Sequence, residues 1–177
     1  MAEPVNMTAP TTAASAQFLR DSEIRRGTEL LFFGYSRLIR AVQQRLSGTG
    51  LGMAHFRALY WIGRHPDLSV SELLAILGVT KQSLGRVLTE LEDRKMVETR
   101  IGERDRRQRL LRLTDAGRAI DSDLFNASRE IMAHAYSRAG QQAVTGFWGV
   151  LEGLLPDSER GRIHQWRDTS VPPGERG

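Results

Sequence analysis

Between Leu68 and Thr114 the hydrophobic period of the sequence switches from helical to alternating within a few residues, and that switch restricts the fold more than any bulk property. "LSV" is short enough for only a minimal strand. Ser69 or Ser71 is placed to cap a short helix, "ELLAILG", which Gly78 closes where a left-handed residue is wanted. Thr80 caps the next helix, "KQSLGRVLTELEDRK", with Leu84, Val87, Leu88 and Leu91 on its buried face. "VETRI" and "RLLRL" then read as two strands of a hairpin around Gly102 to Gln108. Two short helices joined by a tight turn form a helix-turn-helix, whose second helix enters the major groove of DNA by its N-terminal residues.

The charge pattern agrees. Arg100 to Thr114, "RIGERDRRQRLLRLT", holds six arginines and two acids in fifteen residues. A strand that needs only to be soluble could mix signs, so this ribbon calls for an acidic partner. Thr80 to Arg118 carries eleven Lys and Arg against seven Asp and Glu, which accounts for the whole net charge of +4. On the second helix Lys81, Gln82, Ser83 and Arg86 precede any acid, and Glu90, Glu92 and Asp93 come only at the far end. Gln reads adenine; Arg and Lys read guanine or hold phosphate; Ser and a helix N-terminus hold phosphate. An amphipathic helix with a solvated face is the blander explanation, and the arginine hairpin directly after it counts against that. Arg104, Arg106, Arg107 and Arg109 are the expected phosphate or minor-groove contacts. Asp105 stands two residues from Arg107 and is expected to pair with its guanidinium and aim it; the alternative is an exposed ion pair of little worth.

Long amphipathic segments flank this centre. From Ser22, Phe32, Tyr35, Ile39, Val42 and Leu46 form one apolar stripe, ended by "SGTGLG" at Ser47 to Gly52. Those glycines lack a preceding strand and the full phosphate-binding fingerprint, and make a helix connection. "MAHFRALYWIGRHP" is a second helix, with Met53, Phe56, Tyr60 and Gly63 on one face, and Pro66 stops it. Thr114 caps a long helix with Ile120, Leu124, Ala127 and Ile131 on one side, and a last helix from about Gln141 aligns Val144, Trp148, Leu151 and Leu155. Residues 1–20 read as a flexible arm and 168–177 as a loose tail. No apolar run is long enough to span a bilayer and the N-terminus does not read as a secretory signal, so the expectation is a cytoplasmic protein without a membrane partner. The absence of cysteine excludes disulfides and thiolate zinc sites.

"SVSELLAILGVTKQSLGRVLTELEDRKMVETRIGERDRRQRLLRLTDAGRA" resembles the MarR family of bacterial winged helix-turn-helix regulators. The most specific part is "DRRQRLLRLTDAG", an Asp-x-Arg wing followed by a Leu-Thr-x-x-Gly helix start. "LLFF", "GRHP" and "ELLAILGVTKQSL" are similar to a PetP-like subgroup. The match is strong over Leu68 to Ala119 and rests on helix layout over Ser22 to Trp166. The resemblance implies a mainly α fold with a small β-hairpin: a winged helix-turn-helix lobe at 53–113 with dimerisation helices at 21–47 and 114–167, all within a single domain at 21–167. It implies a homodimer on a palindromic operator in double-stranded DNA, bound through the recognition helix at 80–95 and the wing at 101–109. By position, Ser83 and Arg86 fall on the family's recognition-helix contacts and Asp105 and Arg107 on its wing pair; Thr80, Lys81 and Gln82 complete the expected set. Two positions depart from the pattern. Gly85 replaces a commonly Thr-like residue, and Lys95 replaces the glycine that usually ends this helix.

The resemblance also implies a small aromatic or anionic effector between dimer body and winged lobe. Phe32, Tyr35 and Arg37 on the first helix, with His55, Phe56 and Tyr60 on the second, are the candidate lining. Against this, aromatics at helical spacing are usually core. The four histidines lack metal-ligand spacing, no catalytic set has a motif behind it, and no cofactor, metal or enzymatic activity is expected. A sequence-neutral architectural DNA-binding protein with the same hairpin is the competing reading; base-reading residue types at Gln82 and Arg86 favour a specific regulator.

Overall fold

The computed structural model describes residues 17–102 and 105–161. Arg104, Trp166, most of the expected arm and the expected tail lie outside the described residues. The chain divides into two compact units at Arg37 and Leu38. The first holds most of α1 (Asp21–Leu46). Its Leu30, Leu31, Phe32 and Phe33 are four consecutive exposed residues, from 39% for Leu31 to 73% for Phe33, so apolar surface runs all round this helix.

The second unit contains the end of α1, then α2 (Met53–Arg64), β1 (Leu68–Ser69), α3 (Val70–Leu77), α4 (Lys81–Asp93), β2 (Val97–Ile101), β3 (Arg109–Leu113), α5 (Asp115–Ala139) and α6 (Gln141–Gly153). The sheet is antiparallel in the order β1-β3-β2, with Leu68 opposite Leu111 and Val97 opposite Leu113. The short "LSV" strand thus adds a third strand to the hairpin. The core is mostly leucine. Leu59 and Ile62 of α2, Leu73 of α3, Leu84 and Leu91 of α4, Leu111 of β3 and Leu124 of α5 are closed from solvent, each contributing about 1.5–3 kcal/mol by leaving water.

The caps read from the sequence form. Ser69, rather than Ser71, caps α3: its hydroxyl accepts from the Glu72 N–H, and the Glu72 carboxylate accepts from the Ser69 N–H at 2.8 Å. Gly78 ends α3 at φ 61°. Thr80 and Thr114 cap α4 and α5. The expected face of α2 needs correction. Ala58, Leu59 and Ile62 are its buried residues, while Met53 and Phe56 are only partly buried against the core and the Tyr60 ring packs on Phe125 of α5 at 6.1 Å. Its neighbours supply bulky apolar groups on two sides, and a stripe of one period does not register both. Val87 of α4 is likewise only partly buried.

Lys95 shows what becomes of the missing glycine. It takes φ 55°. Its N–H donates to the Glu92 carbonyl at 2.8 Å and the Met96 N–H to the Leu91 carbonyl at 2.9 Å, the paired closure of a helix that ends through a left-handed residue. A side chain with a Cβ is strained there by about 1–2 kcal/mol, partly offset by the unfolded-state freedom a glycine would add. Lys95→Gly is therefore expected to stabilise the protein by about 1 kcal/mol, raising the thermal midpoint by about 2–4 °C in calorimetry. A fall in the midpoint would mean that the lysine side chain contributes more than its backbone costs.

Candidate nucleic-acid interface

The N-terminal half of α4 is exposed and cationic. Thr80 Oγ1 accepts from the Ser83 N–H at 3.2 Å and donates to Ser83 Oγ at 2.9 Å. The Thr80 hydroxyl is thus spent on the cap, and the Ser83 hydroxyl keeps its own proton to donate outward. Lys81, Gln82 and Arg86 are exposed and make no side-chain hydrogen bond or ion pair among the described residues. The first turn contains no acid.

Two of the three acids of α4, Glu90 and Glu92, are tied to the rest of the lobe. The Gly52 N–H donates to His55 Nδ1 at 3.0 Å, which leaves the proton of the neutral ring on Nε2, 2.9 Å from Glu90 Oε2. Thr99 Oγ1 donates to Glu92. Arg94, at the end of the helix, donates to the Thr49 carbonyl at 2.8 Å and the Gly50 carbonyl at 3.2 Å. Arg57 of α2 donates to the Leu77 carbonyl at 2.9 Å, at the end of α3. These contacts hold both helices of the helix-turn-helix against α2 and the loop before it, and they leave the opposite face of α4 free. Sequence reading missed them, because partners 20 to 45 residues apart leave no local pattern.

The wing extends from β2 and β3. Its last strand pair is Ile101 with Arg109, and the Gly102 N–H donates to the Gln108 carbonyl at 3.0 Å. A Cβ on Gly102 would stand 2.8 Å from the Asp105 carbonyl oxygen, so this tight return requires glycine. Asp105 does not pair with the Arg107 guanidinium. Its Oδ1 accepts from the Arg107 backbone N–H at 2.9 Å, a side-chain turn of the kind short carboxylates make at chain reversals. Arg106, Arg107 and Arg109 are exposed, without a side-chain partner among the described residues. Below them Arg112 forks onto both carboxylate oxygens of Asp67, whose backbone is left-handed at φ 67°. The guanidinium hydrogen bonds hold the Asp67 carboxyl below its usual range. This pair joins β3 to the loop after α2, at the base of the wing.

Asp105 has a clean test, because asparagine preserves the turn and removes the charge. Asp105→Asn is expected to bind DNA as tightly as the parent or better, and Asp105→Ala to bind about threefold to tenfold more weakly, in line with the ~1 kcal/mol of one local hydrogen bond. Equal weakening by both substitutions, in an equilibrium titration, would restore the charge-pairing role.

The six effector candidates do not all stay free. His55 is engaged by Gly52 and Glu90; the Phe56 and Tyr60 rings lie tilted with centroids 6.1 Å apart, Phe56 partly buried against the core and Tyr60 against Phe125. Phe32, Tyr35 and Arg37 are exposed on the first unit. Among the described residues no helix is long and apolar enough to cross a membrane, and no group of three or more His, Asp or Glu is placed to hold a metal.

This geometry can be set beside known proteins. Residues 49–108, from the turn before α2 to the wing, match a model of the MarR family. The chain is also 42% identical over 151 residues to the HTH-type transcriptional regulator PetP of Rhodobacter capsulatus, covering 85% of this chain and 91% of the relative. The chain belongs to the MarR family. It is a winged-helix regulator of the PetP-like type. A mutant MarR from E. coli, solved in complex with operator DNA, shares the fold at TM-score 0.58 and 24% identity, covering 76% of this chain and 97% of that one. A MarR family protein of Mycobacterium tuberculosis, solved with p-aminosalicylic acid, aligns at TM-score 0.52 and 28% identity, over 72% of this chain and 96% of that one.

Proposed function

We propose that this MarR-family regulator is a homodimeric, sequence-specific DNA-binding transcription factor of the bacterial cytoplasm, found on the nucleoid when bound. Lys81, Gln82, Ser83 and Arg86 read the major groove, with Thr80 holding the helix end from which they project. Arg104, Arg106, Arg107 and Arg109 carry the wing contacts and Asp105 shapes the wing turn. The observation that carries this reading is the polarity of α4: its cationic half is free, and Glu90 and Glu92 are held by His55 and Thr99. A merely solvated face gives no reason for that division. The E. coli relative with operator DNA supports the same use of the fold.

Dimerisation, through residues 21–47 and 114–167, accounts for apolar surface that one copy leaves in water. Phe32 and Phe33 of α1, and Phe147, Trp148 and Val150 of α6, are exposed. Two lobes then face half-sites about one helical turn apart. A small aromatic or anionic effector acts on this dimer, with Phe32, Tyr35, Arg37, His55, Phe56 and Tyr60 as candidate contacts; the relative solved with p-aminosalicylic acid supports an aromatic acid. By reciprocity, such a ligand binds free protein more tightly than DNA-bound protein by the factor it weakens DNA binding.

The test is selection from a pool of random duplexes. The expected winner is an inverted repeat with half-sites about one turn apart, bound by a dimer in sedimentation. A pool that stays random, with binding that depends on length alone, supports the architectural alternative; a monomer that binds a single half-site overturns the dimer.

A further inference from the structure

We propose that Gly85 is a specificity-determining residue: the absence of a side chain there lets α4 approach base edges closely enough for Gln82 and Arg86 to read them. The inference rests on the assignment of α4 as the recognition helix.

Glycine is, after proline, the least favourable residue for a helix interior, and Gly85 stands in the second turn of α4, Lys81–Asp93. Nothing in the fold requires it. Its backbone is not left-handed, since the positive-φ glycines are Gly48, Gly50, Gly78 and Gly140. No heavy atom beyond its own helix and neighbours lies within 4 Å of where a Cβ would stand. Two other helical glycines show what an internal requirement looks like. A Cβ on Gly63 would meet Asp121 Oδ2 at 2.7 Å, and one on Gly117 would meet the Met96 carbonyl oxygen at 2.0 Å.

The remaining helical glycines that face open space include Gly27 and Gly34 of α1 and Gly146, Gly149 and Gly153 of α6. Those helices also expose large apolar side chains, and their glycines belong with a protein partner. The exposed face of α4 is different. Lys81, Gln82, Arg86 and Thr89 surround Gly85, and no large apolar residue of α4 is exposed. The partner of this face is therefore polar and anionic. Gln82 and Thr89 lie three residues before and four after Gly85, on the same side of the helix. The notch lies between them, where a methyl group would hold the helix off the groove floor and lengthen the contacts of Gln82 and Arg86.

The experiment compares Gly85→Ala with the parent in thermal melting and in equilibrium binding to two probes: the duplex that the parent selects from a random pool, and a random-sequence duplex of equal length. The expected result is a midpoint raised by about 2–4 °C, affinity for the selected duplex reduced by roughly tenfold or more, and affinity for random DNA unchanged. A more stable protein that binds its duplex more weakly separates recognition from folding. Undiminished affinity for the selected duplex overturns the proposal. So does an equal loss on both probes, which would place Gly85 against the phosphate wall. If the parent itself selects no duplex, the recognition-helix assignment fails and this inference with it; selection by the parent with undiminished binding by Gly85→Ala leaves that assignment standing.

Discussion

Replacing Arg106, Arg107 and Arg109 together by alanine is expected to weaken binding to every duplex at least about a hundredfold at low salt, since each lost charged contact is worth about 1.5–3 kcal/mol. The same variant should flatten the dependence of log affinity on log salt by about five units, because each phosphate neutralised contributes about 0.9 and the dimer loses three contacts on each of its two wings. The three guanidiniums are exposed and without side-chain partners among the described residues, so the melting temperature should not move. This combination is diagnostic. A misfolded wing would cost stability, and a lost base contact would spare random DNA. An unchanged salt slope in a filter-binding or fluorescence titration would show that the wing does not meet phosphate.

Gly117→Ala is expected to cause the largest loss of stability from one methyl group. Met96 stands at the entrance of β2 and Gly117 in the first turn of α5. The new Cβ would lie 2.0 Å from the Met96 carbonyl oxygen, which also accepts from the Thr114 N–H at 3.1 Å. Neither group is the end of a flexible side chain, so strand and helix must separate. Overpacking of this kind costs about 3 kcal/mol, or about 6–12 °C in the thermal midpoint. A midpoint within a degree of the parent would mean that α5 does not close on β2 as described.

That contact also bounds what was legible around the wing. "LTDAG" contains a cap, Thr114, that acts within three residues of itself, whereas the demand for Gly117 comes from Met96, 21 residues away. Like Thr114, Ser69, Gly78 and Thr80 were legible because each acts within four residues of itself. The arginine wing was legible because a hairpin with six arginines and two acids holds more like charge than it can neutralise within itself. What the sequence concealed was long-range. Arg94 and Arg57 look like two more basic residues beside a DNA-binding helix, yet both are spent on carbonyls of the chain. Arg112 looks like part of the wing cluster and is held by Asp67. The role of Asp105 was misread for a related reason: spacing shows that Arg107 is near, but not that its backbone N–H rather than its guanidinium takes the carboxylate. The face of α2 was misplaced because Met53 and Phe56 reach the core only partly and Tyr60 turns to Phe125, while Ala58 and Leu59 are fully buried.

The central claim is that the free half of α4 reads base sequence while the wing supplies affinity. The direct measurement is competition at physiological salt between the duplex selected by the protein and a random duplex of equal length, followed by equilibrium titration. The account predicts a preference of about a thousandfold or more for the selected duplex, as specific regulators show over non-specific DNA. Equal affinities, with the same steep salt dependence on both duplexes, would contradict it and leave a basic protein that holds DNA without reading it.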